Sequence, residues 1–258
     1  MAEDNIGYEE LFVQGSNDQA TLSREDLSKP LVLRGIVKRK QMNQCKKDNR
    51  TFFYIDTGYF GNFPSEGNTS GKKRWHRVVK NDLQHTFIRD VPSDRWQNLV
   101  HQDKRLEWRG WKTKGSKILL VIPNGKSCVF YDHDVEVWKK NTIDSIKQYT
   151  DMPIEIREKG SRSYRNSIYS IYDAFDSGIF ATVTFNSIAA MESVAYGIPA
   201  FVTVPCAATP LASTDITKIL TPFYPDENLV KKQCYNLAYG QFTAEELRNG
   251  TAWKLANL

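Results

Sequence analysis

The sequence predicts an α/β protein whose C-terminal half is Rossmann-like and ends in helices. Three observations support this prediction. Short runs of β-branched and aromatic residues recur along the chain, segments with helical apolar spacing separate them in the C-terminal half, and turns rich in Gly, Pro and Asn follow the apolar runs. Strands that alternate with helices are typical of a parallel sheet, because parallel neighbours need a crossover connection.

The N-terminal half contains fewer strong patterns. Polar residues without a clear period fill positions 1–28, so an irregular entry is expected there. Strands are predicted at 31–37, 51–55 and 75–79, a short basic helix at 38–47, a loop at 62–73, and a short helix near 97–102.

The C-terminal half shows clear alternation after a junction at Lys114-Gly115-Ser116. Strands are predicted at 117–122, 153–156, 180–185 and 200–204, and helices at 135–149, 167–175, 188–196, 228–240 and 243–258. The predicted domains are therefore residues 1–115 and residues 116–258, and the second is the Rossmann-like one.

Composition narrows the class of protein. The chain has 258 residues, of which 40% are hydrophobic and 25% charged, as in ordinary globular domains. No apolar run approaches the roughly 20 residues that span a bilayer, and the polar start MAEDNIGYEE does not resemble a signal peptide, so a cytoplasmic protein without a membrane partner is expected. Its four Cys and four His are scattered rather than spaced as ligands, and no metal site is predicted.

Positive charge is concentrated in the N-terminal half. Residues 1–115 hold 21 Lys and Arg against 15 Asp and Glu, whereas the whole chain carries a net charge of +5. This asymmetry indicates either a polyanionic partner or a solvated basic face without one. If the partner is a nucleic acid, the candidate phosphate-binding residues are Lys38, Lys40, Lys72, Lys73, Arg74 and Arg77.

A turn of two polar residues, Asn186-Ser187, follows the predicted strand 180–185. The Ala-rich helix 188–196 comes next and stops at Gly197 before Pro199. In open α/β sheets, ligands bind at the carboxyl ends of strands, and a helix start favours phosphate. The alternative interpretation is that Ser187 only caps its own helix.

Two other strand ends of the C-terminal half carry polar residues. Asn124 and Gly125 follow the strand 117–122, while Arg157, Lys159 and Arg162 follow the strand 153–156. Because the carboxyl ends of parallel strands share one edge, these residues and Asn186-Ser187 form a candidate diphosphate site. Glu192 lies inside an otherwise apolar helix and needs a partner there, which is either the hydroxyls of a ribose or a salt bridge with Arg157 or Lys159.

The stretch TFNSIAAMESVAYGIPAF resembles the donor-binding half of GT-B-type glycosyltransferases, and the resemblance spans about residues 117–205. It implies two Rossmann-like halves with a cleft between them, a nucleotide-sugar co-substrate such as a UDP-sugar, no other cofactor, and chemistry without a metal. The N-terminal half would then bind the acceptor.

Glycosyl transfer with inversion needs a general base for the acceptor hydroxyl. Asp56 is the first candidate because it follows a buried strand and precedes a Gly-bounded loop, although a turn-capping role is an equal alternative. His76 and His133 are the other candidates, and His133 could contact the donor phosphates instead.

Size and charge suggest an acceptor. A compact basic sugar transferase resembles the DNA-modifying glycosyltransferases of bacteriophages, which implies hydroxymethylated pyrimidines in DNA as acceptor. Two alternatives remain: a transferase or epimerase acting on cell-surface or capsule sugars, and a nucleic-acid-binding module without enzymatic activity. The sequence does not predict the oligomeric state.

Overall fold

A computed structural model describes residues 6–36, 39–62, 75–158 and 170–258. Within these residues the protein is a mixed α/β structure with two four-stranded sheets and ten α-helices. The chain divides into two compact units. The first comprises the described residues up to Asn62, residues 75–85 and Leu237–Leu258, and the second comprises the described residues of Thr86–Asn236.

The secondary structure follows the predicted pattern closely in the second unit and less closely in the first. The strands are β1 (Leu31–Arg34), β2 (Phe52–Thr57), β3 (His76–Lys80), β4 (Lys117–Ile122), β5 (Ile154–Glu158), β6 (Ile179–Thr184), β7 (Ala200–Val202) and β8 (Gln241–Phe242). The α-helices are α1 (Tyr8–Gly15), α2 (Arg39–Lys47), α3 (Asp94–Gln102), α4 (Gly125–Phe130), α5 (Val135–Lys147), α6 (Ile171–Phe175), α7 (Ala189–Ala195), α8 (Glu227–Tyr239), α9 (Ala244–Arg248) and α10 (Thr251–Ala256). None of the described helices combines the length and the apolar character that crossing a membrane requires.

The sheet of the first unit is mixed. Its strand order is β1-β2-β3-β8, with β1 parallel to β2 and the other two pairings antiparallel. This differs from the all-parallel sheet expected of a Rossmann-like half. Antiparallel neighbours need no helical crossover, and β8 comes from the far end of the chain to pair with β3.

The core of the first unit lies between this sheet and three helices. Phe53 and Ile55 of β2 are fully buried, and Phe12 of α1 packs against Phe53 and Trp253 of α10. Helix α1 corrects the prediction of an irregular entry. It lies so close to α9 that a Cβ atom on Gly15 would be 2.0 Å from the Leu247 carbonyl oxygen. Tertiary packing therefore stabilises a helix of only eight residues, which is too short to be stable alone.

The sheet of the second unit is entirely parallel, as predicted. Its order is β5-β4-β6-β7, and the central strand β4 is buried from Ile118 to Ile122. The chain runs from β4 to β5 on one side and then places β6 on the other side of β4. The strand order therefore reverses between β4 and β6. Such a switch point opens a crevice at the carboxyl ends of the two strands, which is where open α/β sheets bind ligands.

Two predicted segments differ in detail. The predicted helix 243–258 is split into α9 and α10 at Gly250, which has a φ of +85° that favours glycine. Helix α4 occupies residues predicted only as a break after β4, because the Asn124 side chain caps it. The assignment of acceptor and donor roles to residues 1–115 and 116–258, and the cleft between the halves, stay predictions.

Candidate functional site

The turns after β4 and β6 are joined by a buried hydrogen-bond network. The side chain of Asn124 accepts a hydrogen bond from the Ser127 backbone N–H at 2.9 Å, which fixes the first turn of α4. The Ser127 hydroxyl donates to Oδ1 of Asn186 at 2.7 Å. Ser127 and Asn186 are only 6% and 8% exposed, so the bond is shielded from water and positions both turns. This network lies at the switch point of the sheet.

Ser187 is engaged within its own turn. Its hydroxyl oxygen accepts a hydrogen bond from the Ala189 backbone N–H at 3.2 Å, a local contact just before the N-cap residue Ile188. The helix that follows, α7, has only seven residues, and every one of them is buried. Ser187 itself is half-buried at the start of this segment. Ser187 is therefore more accessible to solvent than any residue of α7.

His133 lies beside the same turn. Its ring meets the ring of Phe185 edge-on, with 5.2 Å between the ring centroids, and Phe185 directly precedes Asn186. Phe185 is fully buried, whereas His133 is exposed. His133, one of the candidates for the general base, is thus an exposed imidazole next to the switch point.

His133 is flanked by Asp132 and Asp134. The Asp134 carboxylate accepts the Val137 backbone N–H at 2.9 Å and caps α5, which is a structural role. Across the described ranges, no group of three or more His, Cys, Asp or Glu side chains is arranged to hold a metal ion.

The end of β5 contributes charged residues to the edge. Arg157 is half-buried, and its neighbour Glu158 accepts a hydrogen bond from Lys139 of α5 at 2.6 Å. Lys159 and Arg162, predicted to hold phosphate with Arg157, lie outside the described residues. At the end of β7, the Thr203 hydroxyl accepts the Trp138 indole N–H at 2.9 Å.

Glu192 is a buried acid, only 4% exposed, on α7. It lies near the phenol of Tyr172: burial raises the pKa of Tyr172 well above its ordinary value, and the negative charge of Glu192 raises it further. A buried carboxylate surrounded by apolar helix residues is costly unless its oxygens are bound. The buried position of Glu192 therefore agrees with the expectation that this carboxylate needs a partner, and its role in binding a ribose stays a prediction.

Asp56 belongs to the first unit and is held by three donors. Its Oδ2 accepts the Tyr54 hydroxyl at 2.8 Å and Nη2 of Arg77 at 3.0 Å, and its Oδ1 accepts the Thr57 backbone N–H at 2.8 Å. The pairing follows from the sheet register, in which Asp56 is opposite Arg77 on β3. Donors that stabilise a carboxylate make it a weaker base. The hydrogen bond from the Thr57 backbone N–H is a local contact of the kind that the alternative, turn-capping role of Asp56 predicts.

Arg77 is an internal structural residue, which corrects its prediction as a phosphate-binding cation. It is 7% exposed, and its guanidinium also donates to the carbonyl oxygens of Leu83 at 3.1 Å and Thr57 at 2.7 Å. Burial lowers the pKa of Arg77, but the interactions with Asp56, Tyr59 and Tyr54 together outweigh this and raise it overall. The sequence could not distinguish this arginine from its basic neighbours, because the burial depends on the pairing of β2 with β3.

His76 is also internal. It is 3% exposed on β3, and its ring stacks on Tyr8 of α1 with 3.6 Å between the centroids. A histidine in this position packs the first unit and does not meet solvent. The burial of His76 and its stacking on Tyr8 give no support to its predicted role as a general base.

The predicted nucleic-acid-binding residues are only partly described. Lys40 is exposed on α2, which agrees with a basic surface helix. Lys38, Lys72, Lys73 and Arg74 lie outside the described residues.

Sequence reasoning missed Ser127, the residue that links the two turns. A signal was present, because Ser127 is three residues after the capping Asn124 and precedes an apolar stretch. Its partner Asn186 is 59 residues away along the chain, so only the parallel pairing of β4 with β6 could identify the bond. Gly125, predicted with Asn124, is exposed at the start of α4.

Comparison with known proteins identifies a similar fold. No protein-family model matches the chain, and no curated protein matches it by sequence. Among solved structures, the beta Kdo 2,7 transferase of Thermosulfurimonas dismutans KpsC superposes with a TM-score of 0.54 at 11% identity, covering 98% of this chain and 97% of that chain. The beta Kdo 2,4 transferase of the same KpsC gives a TM-score of 0.49 at 11% identity, covering 83% of this chain and 80% of that chain. The chain therefore has a fold similar to that of a solved glycosyltransferase over nearly its whole length.

Proposed function

We propose that this protein is a glycosyltransferase that binds a nucleotide-sugar donor at the carboxyl edge of its parallel sheet. The observation that carries the proposal is the Ser127–Asn186 hydrogen bond at the β4/β6 switch point, because it builds a rigid polar turn where α/β folds bind ligands. The fold shared with a Kdo transferase over 98% of the chain supports the same class of reaction.

The donor contacts follow from the positions of the candidate residues. Asn124 and Ser127 orient Asn186, and we assign Ser187 and Arg157, with Lys159 and Arg162, to the phosphates of the donor. Arginine suits this task because its planar fork binds phosphate oxygens in pairs. Glu192 is assigned to the hydroxyls of the donor ribose, since each of the two oxygens of a carboxylate can accept such a hydrogen bond.

The reaction itself needs a base and a stabilised leaving group. We assign the base role to His133, which is exposed beside the donor turn, in preference to Asp56, whose carboxylate already accepts three hydrogen bonds. Basic side chains that neutralise the leaving phosphate would allow the GT-B-type chemistry without a metal, as the sequence resemblance implies.

A saccharide is the first acceptor class to test. The similar solved structure is named a Kdo transferase, and this agrees with the cell-surface alternative that the sequence left open. Hydroxymethylated pyrimidine in DNA is the second candidate, and the observation that favours it is the excess of basic residues in positions 1–115.

Donor binding is tested by thermal shift with a panel of nucleoside mono- and diphosphates. A ligand at 100 times its dissociation constant should stabilise the fold by about 2.7 kcal/mol. The decisive comparison pairs the best ribonucleotide with its 2′,3′-dideoxy counterpart, in the wild type and in Glu192→Gln. If Glu192 binds the ribose, the wild type prefers the ribonucleotide by about tenfold and Glu192→Gln loses that preference.

Asn141→Ala, on the exposed surface of α5, is a control that should retain the wild-type preference. A variant Glu192→Gln that keeps the full preference would assign Glu192 to an internal salt bridge instead. No thermal shift with any nucleotide would overturn the proposed donor site.

Transfer is tested by mass spectrometry with a mixture of nucleotide sugars and three acceptors: an acidic oligosaccharide, hydroxymethylated duplex DNA and unmodified duplex DNA. A sugar-sized mass gain on the oligosaccharide alone supports the saccharide acceptor. A gain on the hydroxymethylated DNA alone supports the second candidate, and a gain on none of them argues against both acceptors.

A further inference from the structure

The second unit contains a pocket that none of the donor-site residues lines. It has a volume of about 380 Å³ and is formed by α3, the short 3-10 helix at Lys104–Leu106, the residues that follow it, and α8. Pockets for small ligands begin at about 300 Å³ and combine apolar walls with a few polar groups. The turns after β4 and β6 contribute no residue to this pocket.

Three aromatic side chains line the pocket. Trp96 comes from α3, Trp108 from the segment after the 3-10 helix, and Tyr235 from α8. Trp96 is 7% exposed, and the Trp108 ring meets Trp111 edge-on at a centroid distance of 5.2 Å. These contacts limit the movement of the aromatic walls. The exposed parts of these aromatic rings can pack against the apolar face of a ring-shaped ligand.

Charged groups of both signs also line the pocket. Lys104 is exposed, and it forms no ion pair within the part of the chain that the structure describes. Lys231 lines the pocket from α8, on the opposite side, and is paired with Glu227 one turn earlier on the same helix. Glu107 is the single acid of the wall, and it is only loosely paired with Arg109 at 3.6 Å. The pocket thus offers a cation for an anionic group and a carboxylate that accepts hydrogen bonds.

We propose that this pocket binds an acidic saccharide. The aromatic rings pack against the C–H face of a sugar, Lys104 pairs with its carboxylate or phosphate, and Glu107 accepts hydrogen bonds from its hydroxyls. The proposal rests on the proposed glycosyltransferase function in one respect, because it makes the pocket a subsite for the acceptor chain.

Glu107 distinguishes this ligand from a nucleic acid. A polyol donates hydrogen bonds that a carboxylate accepts, whereas a phosphate backbone next to Glu107 is repelled by it. A nucleic-acid strand is also bound along a basic groove, whereas this lining combines Lys104 and Lys231 with the carboxylate of Glu107. The pocket therefore fits a short acidic saccharide better than a strand.

The test is calorimetric titration of the whole protein with digalacturonate, its dimethyl ester and a thymidine oligonucleotide, without any nucleotide sugar. Digalacturonate should bind the wild type, and the neutral ester should bind about tenfold more weakly because it cannot pair with Lys104. Lys104→Glu should weaken digalacturonate binding by about tenfold or more, and Trp108→Ala should weaken both sugars.

Lys147→Glu is the matched control, because it reverses the charge of another exposed lysine in the same unit and should leave the affinity unchanged. Thermal unfolding verifies that each variant is folded, and Lys104→Glu, a surface change, keeps the test valid if Trp108→Ala does not fold. The pocket assignment is overturned if digalacturonate does not bind at about 10 mM, if both lysine variants lose affinity equally, or if the oligonucleotide binds more tightly.

This outcome is separable from the proposed function. Binding of nucleotides without binding of digalacturonate would contradict the saccharide pocket and still support the donor site. Binding of digalacturonate without binding of nucleotides would contradict the proposed glycosyltransferase function and still support the saccharide-binding pocket.

Discussion

The Ser127 hydroxyl donates a 2.7 Å hydrogen bond to the side-chain oxygen of Asn186, and this bond connects the turns after β4 and β6. Both residues are buried, and the strands that carry them are hydrogen-bonded neighbours in the parallel sheet. The relationship makes the two turns one structural unit. Any ligand bound at this edge depends on it for the position of its polar contacts.

Ser127→Ala should weaken donor binding through this link. The substitution removes the donor to Asn186 while retaining the helix α4, and it should cost about 1–3 kcal/mol of stability because a buried polar group loses a partner. Nucleotide affinity should fall by about tenfold as the turn loosens. Thermal unfolding with and without nucleotide measures both effects, and unchanged affinity in Ser127→Ala would show that the turn does not support the donor.

His133 and Asp56 are separable by the kind of effect that their substitution has. His133→Gln should leave the melting temperature unchanged, because the side chain is exposed, and should lower kcat by about 100-fold or more if the imidazole is the base. Asp56→Asn should lower the melting temperature, since it breaks the contact with Arg77. Steady-state kinetics and thermal unfolding of both variants decide the matter, and a kcat loss confined to Asp56→Asn would transfer the base role to Asp56.

Arg77 should be a stability residue. Arg77→Met removes one of the donors to the Asp56 carboxylate and the guanidinium contacts to the carbonyl oxygens of Leu83 and Thr57. Breaking such a pair costs about 3 kcal/mol, at the lower end of the usual range because Asp56 is 39% exposed. Arg77→Lys should recover only part of this loss, because an ammonium cannot reproduce the guanidinium fork.

Lys80→Met, an exposed position on the same strand, is the control for Arg77→Met and should change stability by about 0.5 kcal/mol or less. Urea unfolding compares the three variants. Equal effects at positions 77 and 80 would contradict the structural role of Arg77.

Gly197, which follows α7, is constrained both by its left-handed backbone angle and by a close neighbouring atom. Gly178 shares only the backbone constraint. Both have left-handed backbone angles, with φ of +83° and +89°. A Cβ on Gly197 would lie 2.1 Å from the Gly110 carbonyl oxygen, whereas a Cβ on Gly178 would meet nothing closer than 3.9 Å. Gly178→Ala should therefore cost about 1–2 kcal/mol for the backbone alone, and Gly197→Ala should cost clearly more. Chemical denaturation measures both, and equal costs would show that the backbone around Gly110 yields to the added methyl group.

Cys206 should contribute to the alkaline pH dependence of stability. Burial raises its pKa to about 11 from 9.0, so the folded state retains the thiol proton in a range where the unfolded chain releases it. The contribution to stability is therefore complete below pH 9 and is lost as the pH rises towards 11.

The free energy of unfolding between pH 9 and pH 11 should fall less steeply in Cys206→Ala than in the wild type. The difference is at most one proton, or about 1.4 kcal/mol per pH unit. Denaturation at several pH values measures the two slopes, and parallel slopes would show that the Cys206 thiol is not the group responsible. A constant offset from the lost side chain does not affect this comparison.

Local patterns in the sequence determined most of the second unit. The apolar runs identified β4, β6 and β7, and the Asn-Ser turn with its Gly-x-Pro stop identified the edge where a ligand would bind. These features are readable because strand and helix periods, and the backbone preferences of Gly and Pro, act over a few residues.

The tertiary structure decided what depends on distant partners. Helix α1 forms because α9 and α10 cover it. The two-residue strand β8 exists because it pairs with β3, where Gln241 is opposite Arg77, 164 positions earlier in the chain. Arg77 is buried rather than solvent-facing because β3 places it opposite Asp56, and Ser127 reaches Asn186 because β4 lies beside β6. Contacts of this kind depend on strand register and on burial, and neither is encoded in any short stretch of sequence.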